Sequence, residues 1–366
     1  MTPFGRFFLP GPTEVHPEVL AAMSRPVIGH RGPEMTELLR GIDPHLRAVF
    51  GSSRPVYVST SSATGLMEAA VRGGVRRRAL CLVNGAFSGR FRDLVLDCGR
   101  EAETYEVPWG EAHDADEVER QLRADGFDAV TVVHSETSTG VLNPLPEIAQ
   151  AVRRAADAAG EEVLLLVDGV TSVGGVEVDP EGLGLDFLLT GSQKALALPP
   201  GLAFGTASER MLRRAEALPG RGQYLDVVEL DRYWSRHQTP QTPAIHLIFA
   251  LAEQMRRISA DGGIAARAER HRRMAERCWK WAEETGQRWG LRLFAPSGRR
   301  SPTVTAIALP SERTGSGIQA ALAERGWTIG TGYGKLREAT LRIGHMGDHT
   351  VEELDALLDQ LEAVLG

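Results

Sequence analysis

The chain has 366 residues, of which 42% are hydrophobic and 24% are charged, as is usual for a folded globular protein. Its net charge of −7, without a Lys/Arg-rich block, argues against nucleic acid as the main partner. No apolar run reaches the ~18 residues of a membrane span, no signal-peptide core opens the chain, and three scattered cysteines suit a reducing compartment, so we expect a cytoplasmic protein.

The first two thirds of the chain alternate between helical patterns and short apolar runs. Helices are predicted at 17–23, 34–50 and 145–159, and strands at 56–59, 79–83, 129–134, 163–167 and 187–190. The runs 129–133 and 163–167 are apolar at nearly every position, as strands buried on both faces should be. The alternation predicts an α/β fold whose mostly parallel sheet lies between helices.

The pattern changes near residue 243. A long amphipathic helical stretch, 245–286, is interrupted only at 261–263, and strands are predicted at 291–294, 303–308, 328–330 and 340–343. Helices are predicted at 317–325 and 351–365. We therefore expect an N-terminal segment (1–15), a large domain (16–250) and a smaller α+β C-terminal domain (251–366).

Polar or small residues follow several predicted strands, where doubly wound sheets bind ligands. The hydroxyl-rich turn 59–65 opens a helix and is either a phosphate seat or a plain N-cap. Asp168 ends an apolar strand, and is either a turn residue or the partner of a cationic ring nitrogen. Phe87 either stacks on a planar ligand or fills the local core, and the turn 134–140 is either a contact loop or a solvated one. Taken alone, Phe87 is better explained as a core residue, and the other three features are explained about as well by ordinary structure as by ligand binding.

Only three lysines are present, so few side chains could serve as a nucleophilic amine. Lys194 follows the strand 187–190 among small residues, where burial would lower its pKa and make it a nucleophile. Lys280 lies on a charge-rich predicted helix and Lys335 in a predicted loop, so both are expected at the surface. Lys194 is thus the candidate amine. Neither HExxH nor paired-His spacing occurs, so no metal is expected.

Five motifs occur in a characteristic order: Ser62-Ala63-Thr64, Phe87, the run 136–140, the run 168–170 and the run 191–194. With them, the chain resembles the class V aminotransferases of pyridoxal-phosphate fold type I, nearest the alanine–glyoxylate and serine–pyruvate branch. The resemblance implies pyridoxal 5′-phosphate as cofactor, an N-terminal segment near the active site, and a homodimer with shared sites. The implied reaction moves an amino group from alanine or serine to glyoxylate or pyruvate, with the cofactor held on Lys194 as a Schiff base (internal aldimine).

The resemblance also assigns roles. Lys194 and Asp168 are catalytic, and Asp168 pairs with the pyridine nitrogen. The cofactor would further be held by Ser62, Ala63, Thr64 and Gln193 at the phosphate, Thr137 at the ring hydroxyl, Phe87 and Val170 on the ring faces, and Gln241 and Thr242 from the other subunit. The substrate would be bound by Arg342 of an R-I-G motif, through its carboxylate, and by Gly11, His30 and Arg31.

Two departures from the family pattern and three alternative functions accompany this interpretation. Ala63 stands where relatives often have Gly, and Phe87 where some have Trp. The pair His30-Arg31 keeps phosphoserine aminotransferase open as an alternative. A cysteine desulfurase is disfavoured, since Gln193 precedes the lysine and Cys278 lies in a predicted helix. A non-catalytic binding protein would be expected to lack the lysine or the aspartate.

Overall fold

A computed structural model describes residues 4–124 and 126–366. The strands of this part are β1 (Phe7–Phe8), β2 (Tyr57–Ser59), β3 (Arg78–Val83), β4 (Glu101–Glu106), β5 (Ala129–Val133), β6 (Ser135–Glu136), β7 (Val141–Leu142), β8 (Leu164–Asp168), β9 (Phe187–Gly191), β10 (Ala203–Ala207), β11 (Arg292–Leu293), β12 (Thr305–Ala308), β13 (Thr328–Thr331) and β14 (Thr340–Ile343). The α-helices are α1 (Pro17–Ala22), α2 (Pro33–Phe50), α3 (Ala63–Gly74), α4 (Ala86–Asp97), α5 (Ala115–Ala124), α6 (Leu145–Ala159), α7 (Pro180–Leu183), α8 (Glu209–Ala217), α9 (Val227–Trp234), α10 (Ile245–Ala260), α11 (Gly263–Glu284), α12 (Gly315–Glu324) and α13 (Val351–Leu365). Every predicted helix and strand is present, with ends shifted by at most two residues.

The central sheet has seven strands in the order β2-β10-β9-β8-β5-β3-β4. Its strands all run parallel except β10, which is antiparallel to both of its neighbours. β5, β8 and β9 are buried along their whole length, because α3 packs on β8 and β9, and α4 on β3 and β5. The mostly parallel sheet between helices is therefore confirmed. The carboxyl ends of β3, β5, β8 and β9 lie at one edge, as expected for parallel strands.

A second sheet, in the order β1-β13-β14-β12-β11, is built from both ends of the chain. β1 pairs in parallel with β13, and Phe8 is buried in a hydrophobic core formed mostly by residues after 273. The chain then leaves this sheet towards the central one, where the Thr13 N–H donates to the Gln193 carbonyl at 2.9 Å. Residues 9–12 are thereby held between the two sheets.

The described residues form two large hydrophobic cores and one small cluster (Ala195, Val304 and Met346). The first large core extends through α10 to Ile258, and the second contains Phe8 and then residues from Met274 in α11 onwards. Core packing thus favours a domain division after the predicted boundary at residue 250, and the three-part division stays a prediction. The first three residues of the predicted N-terminal segment lie outside the described residues. Among the helices described, none is long and apolar enough to cross a membrane.

Candidate active site

Lys194 lies in the turn after β9, with its side chain almost completely buried. Its Nζ donates a hydrogen bond to the carbonyl of Pro10, in the segment that links the two sheets. Burial, followed by the nearby charge of Arg342, lowers the pKa of this lysine to about 7. A large share of its amine is therefore unprotonated near neutral pH, as a nucleophile or a base requires.

Asp168 ends β8, the strand next to β9, and its side chain is also buried. Oδ1 accepts the N–H of Val170 at 2.7 Å, and the described residues supply no other hydrogen bond to this carboxylate. Burial, opposed in part by that hydrogen bond, raises the pKa of Asp168 to about 7. A buried carboxylate with a free oxygen suits a protonated ring nitrogen, which would restore its charged form.

Glu136 lies within one of the sequence motifs, but sequence analysis gave it no role. Its buried carboxylate accepts the N–H groups of Phe87, Ser88 and Ser138 at 3.2, 2.9 and 3.1 Å, and the hydroxyls of both serines. A Cβ at Gly85 would lie 2.4 Å from its Cγ, so this approach requires glycine. Glu136 thus fixes the start of α4, and the negative charge there is favoured by the helix dipole.

Phe87, held in this way, lies beside the amine. Nζ of Lys194 is 5.8 Å from the centroid of the Phe87 ring. Tyr333, from the segment after β13, lies against the same ring at a centroid distance of 5.1 Å. Arg90 lies over it as well, at 5.0 Å. Sequence analysis missed Arg90 and Tyr333, although Arg90 is three residues from Phe87 on α4 and so shares its helix face.

The start of α3 has the properties of a phosphate seat. Ser62 is its N-cap in extended conformation, yet the Ser62 side chain makes no capping hydrogen bond, which leaves its hydroxyl free for a ligand. A Cβ at Gly191 would lie 2.8 Å from Oε1 of Gln193 and 3.4 Å from Cβ of Ala63, so these three residues adjoin one another. Together with Thr64 in the first turn, they could bind an anion through the helix N-terminus.

Arg342, in β14, is buried and lacks an acidic partner. Its Nε donates to the Thr331 carbonyl at 2.8 Å, and Nη1 to the Thr137 carbonyl at 3.3 Å. None of the described carboxylates lies within 4 Å of it, and burial lowers its pKa to about 10. An unpaired buried guanidinium is costly unless it binds an anion. The Thr137 hydroxyl itself contacts the hydroxyl of Thr171.

Gly11 also reaches this site. Its φ is +113°, and a Cβ there would lie 2.6 Å from Cδ, Cε and Nζ of Lys194. A side chain at this position would displace the lysine. The structure therefore brings Gly11 together with Lys194, and its role at the substrate stays a prediction.

Four other predicted site residues cluster elsewhere in the chain. Arg31 donates to the carbonyls of residues 239 and 240, His30 lies 3.5 Å from the Thr242 hydroxyl, and Gln241 donates to the carbonyl of Gln223. Within the described part of a single chain, none of these four has a recorded contact with Lys194, Asp168 or Arg342. Their roles at the cofactor and substrate stay predictions.

Comparisons with known proteins agree with this geometry. Residues 29–357 match the family model of class-V aminotransferases. An uncharacterised aminotransferase of Methanocaldococcus jannaschii is 36% identical over 98% of this chain and 91% of its own. An L-aspartate–glyoxylate aminotransferase of Paracoccus denitrificans is 33% identical (96% and 88%), and a serine–glyoxylate aminotransferase of Methylorubrum extorquens 32% (93% and 86%).

Solved structures extend the comparison. The crystal structure of an alanine–glyoxylate aminotransferase from Nostoc sp. superposes with a TM-score of 0.91, at 32% identity, over 100% of this chain and 96% of that one. The solved structures of two phosphoserine aminotransferases and of a cysteine desulfurase are also similar, but at 16–23% identity. These more distant likenesses show a shared fold and nothing further.

Proposed function

Because the chain belongs to the class-V aminotransferases, which use pyridoxal 5′-phosphate, we propose that it moves an amino group from a small amino acid such as alanine or serine to glyoxylate or pyruvate. One observation carries the proposal: Lys194 is buried together with Asp168 and Arg342, the charges of both act on its amine, its pKa is lowered, and no described carboxylate lies within 4 Å of the arginine. The names of the relatives supply the substrates, with serine, alanine or aspartate as donor and glyoxylate as acceptor.

The residues present fit the cofactor. The start of α3 and Gln193 would hold its phosphate, Asp168 its ring nitrogen, Thr137 its ring hydroxyl, and Phe87 and Val170 its two faces. The free oxygen of Asp168 and the uncapped start of α3 are what such a ligand would need. When bound, pyridoxal phosphate supplies a ring that accepts the electron pair left when the substrate Cα loses its proton.

The chain's own residues would prepare and carry the proton transfer. Arg342 would bind the substrate carboxylate through its planar guanidinium and so orient the Cα–H bond towards Lys194. The lysine amine, kept largely neutral by burial, would take the proton from Cα and later return one. Asp168, in its charged form, would keep the ring nitrogen protonated throughout.

We further propose a cytoplasmic homodimer with shared active sites. Gln241 and Thr242 would serve the partner subunit's phosphate seat, which agrees with their separation from Lys194 in one chain. Arg31 supports the shape of this segment through its hydrogen bonds to the carbonyls of residues 239 and 240. A reducing compartment is supported by the free cysteines, of which Cys81 and Cys278 are buried.

A donor panel tests the proposed reaction. Alanine, serine, aspartate, glutamate and phosphoserine are each offered with glyoxylate, pyruvate and 2-oxoglutarate, and the new amino acid is measured. We expect glyoxylate or pyruvate to be converted with alanine or serine as donor. A preference for phosphoserine with 2-oxoglutarate would contradict the proposal in favour of phosphoserine aminotransferase. Release of sulfide from cysteine without amino transfer would instead indicate a desulfurase.

Arg342→Ala is expected to lower kcat/KM at least ~10-fold, because a desolvated bidentate contact with the substrate carboxylate is lost. Arg342→Lys should also be impaired, since lysine keeps the charge but not the planar fork. Steady-state kinetics on the amino acid and its oxo acid measure both effects, and absorbance of the bound cofactor should barely change.

Arg337→Ala is the matched control, because the Arg337 side chain is 76% exposed in the same domain. Its kinetics should stay those of the wild type. Unchanged kcat/KM in Arg342→Ala for every donor, or loss of the cofactor instead, would show that the carboxylate is bound elsewhere.

A further inference from the structure

A second guanidinium, that of Arg90, faces the site from the large domain. Its Nη2 donates to the Tyr333 hydroxyl at 3.2 Å, and its Cζ lies 5.0 Å from the centroid of the Phe87 ring. Across the described ranges, no carboxylate lies within 4 Å of it, and Tyr333 is its only recorded hydrogen-bond partner. By contrast Arg92, two residues further along α4, is paired with Asp93 at 2.7 Å. Arg90 is thus a partly buried cation without a counter-charge.

The charge of Arg90 acts on the catalytic groups. It contributes to lowering the pKa of both Asp168 and Lys194, which places it within electrostatic range of each. Glu136, the other acid nearby, makes no hydrogen bond to Arg90 among the described residues, since its oxygens accept from backbone N–H groups and serine hydroxyls. Arg90 therefore contributes to the field of the site and keeps further N–H groups with which it could bind an anion.

Tyr333 contacts the guanidinium group of Arg90 and lies near that of Arg342. Its ring lies 5.6 Å from Cζ of Arg342 and 5.1 Å from the centroid of the Phe87 ring. Its hydroxyl oxygen accepts from Arg90, which leaves its own O–H free to donate. A hydrogen-bond donor and a cation thus lie next to each other, and the ring that carries the donor also lies beside Arg342.

We propose that Arg90 and the Tyr333 hydroxyl form a subsite for a second carboxylate, so that the enzyme favours amino donors with an acidic side chain, of the aspartate or glutamate kind. The α-carboxylate would be bound by Arg342, and the side-chain carboxylate by Arg90 and Tyr333. An alanine or serine donor neutralises only one of the two guanidiniums, whereas a dicarboxylic donor neutralises both. This inference rests on the proposed function for the reaction, and adds the class of donor.

Kinetics of the holoenzyme test the subsite. The measured quantity is the ratio of kcat/KM for L-aspartate, and for L-glutamate, to kcat/KM for L-alanine. Arg90→Gln should lower this ratio at least ~10-fold for the better acidic donor, because a charge-assisted contact is lost. Tyr333→Phe, which removes only the hydroxyl, should lower it about 3- to 10-fold. The control Arg92→Gln, on the same helix but outside the site, should leave the ratio unchanged.

Binding of dicarboxylates tests the subsite independently of catalytic turnover. The holoenzyme is titrated with succinate, which has two carboxylates, and with butyrate, which has one, by isothermal titration calorimetry. Wild type should bind succinate at least ~10-fold more tightly, and Arg90→Gln should lose most of that difference. Equal affinities in wild type, or an undiminished preference in both Arg90→Gln and Tyr333→Phe, would overturn the subsite.

The two proposals can fail separately. If neither alanine nor serine donates its amino group to glyoxylate or pyruvate, the proposed function is wrong, while the comparison of succinate with butyrate still decides the subsite. If alanine reacts and the acidic-donor ratio is the same in wild type and Arg90→Gln, only the subsite is wrong. Should Arg90→Gln not fold, Tyr333→Phe decides by the same two measurements.

Discussion

Lys194→Ala is expected to lower transamination by at least ~10³-fold, since it removes the general base together with the covalent attachment of the cofactor. The reason lies in the burial of the Lys194 amine and its position beside Phe87 and Asp168. Borohydride reduction of wild-type holoenzyme, followed by peptide mapping, should place the cofactor on the peptide that contains residue 194. The variant should carry no covalent cofactor.

The pH dependence of cofactor attachment is a second test of the role of Lys194. Burial lowers the pKa of Lys194 to about 7, so the fraction of neutral amine increases as pH rises through that value. The rate at which cofactor-free protein captures pyridoxal phosphate should therefore rise from pH 6 and level off near pH ~8, well below the ordinary lysine pKa of ~10.4.

The other two lysines are the controls. The side chain of Lys280 is 66% exposed, and Lys335 is exposed beside the Trp109 ring. Lys280→Ala and Lys335→Ala should attach the cofactor and react as wild type does. Label on either of these residues in the wild type, or a capture rate that still climbs towards pH 10, would refute the assignment.

The helices and strands that could be predicted from the sequence are those in which the local pattern of apolar and polar residues matches their burial in the fold. β8 is apolar up to Asp168 and lies in the middle of the sheet, so its pattern and its environment agree. β4 reads EAETYE at an edge of the sheet, where polar residues are tolerated and no apolar run marks the strand. β10 is rich in small residues, with Gly205 at its centre, and so lacks a β-type signal. Phe7–Phe8 pairs with a strand more than 300 residues away, which local pattern does not encode.

Some residues of the candidate site could likewise be predicted from the sequence, and others could not. Lys194, Asp168 and Phe87 follow strands whose carboxyl ends meet at one edge, so their convergence follows from a parallel sheet. The contacts of Glu136, Arg90 and Tyr333 depend on tertiary packing between segments distant in sequence. Tyr333 in particular lies in the segment after β13, a strand of the sheet built from both ends of the chain, and local periodicity does not encode how that sheet is placed relative to the central one.

Asp168→Asn is expected to keep the fold and much of the bound cofactor, but to lower kcat by at least ~10²-fold. Asparagine is nearly isosteric, and its side-chain oxygen can still accept the N–H of Val170 that Oδ1 accepts now. What it lacks is the negative charge that would keep the cofactor's ring nitrogen protonated, and with it the ability of the ring to accept electrons.

The variant Asp179→Asn is the control that distinguishes the loss of the Asp168 charge from a mere disturbance of the turn. Oδ1 of Asp179 accepts the N–H of Gly182 at 2.8 Å, at the start of α7 and away from the site, so Asp179 has the same local role without a ligand. Asp179→Asn should leave kcat unchanged. If Asp168 were only a turn residue, both asparagine variants would behave alike, and a near-normal rate in Asp168→Asn would remove it from the catalytic machinery. Stopped-flow absorbance of the bound cofactor locates the defect, because losing the ring's charge partner should slow removal of the proton from Cα far more than substrate binding.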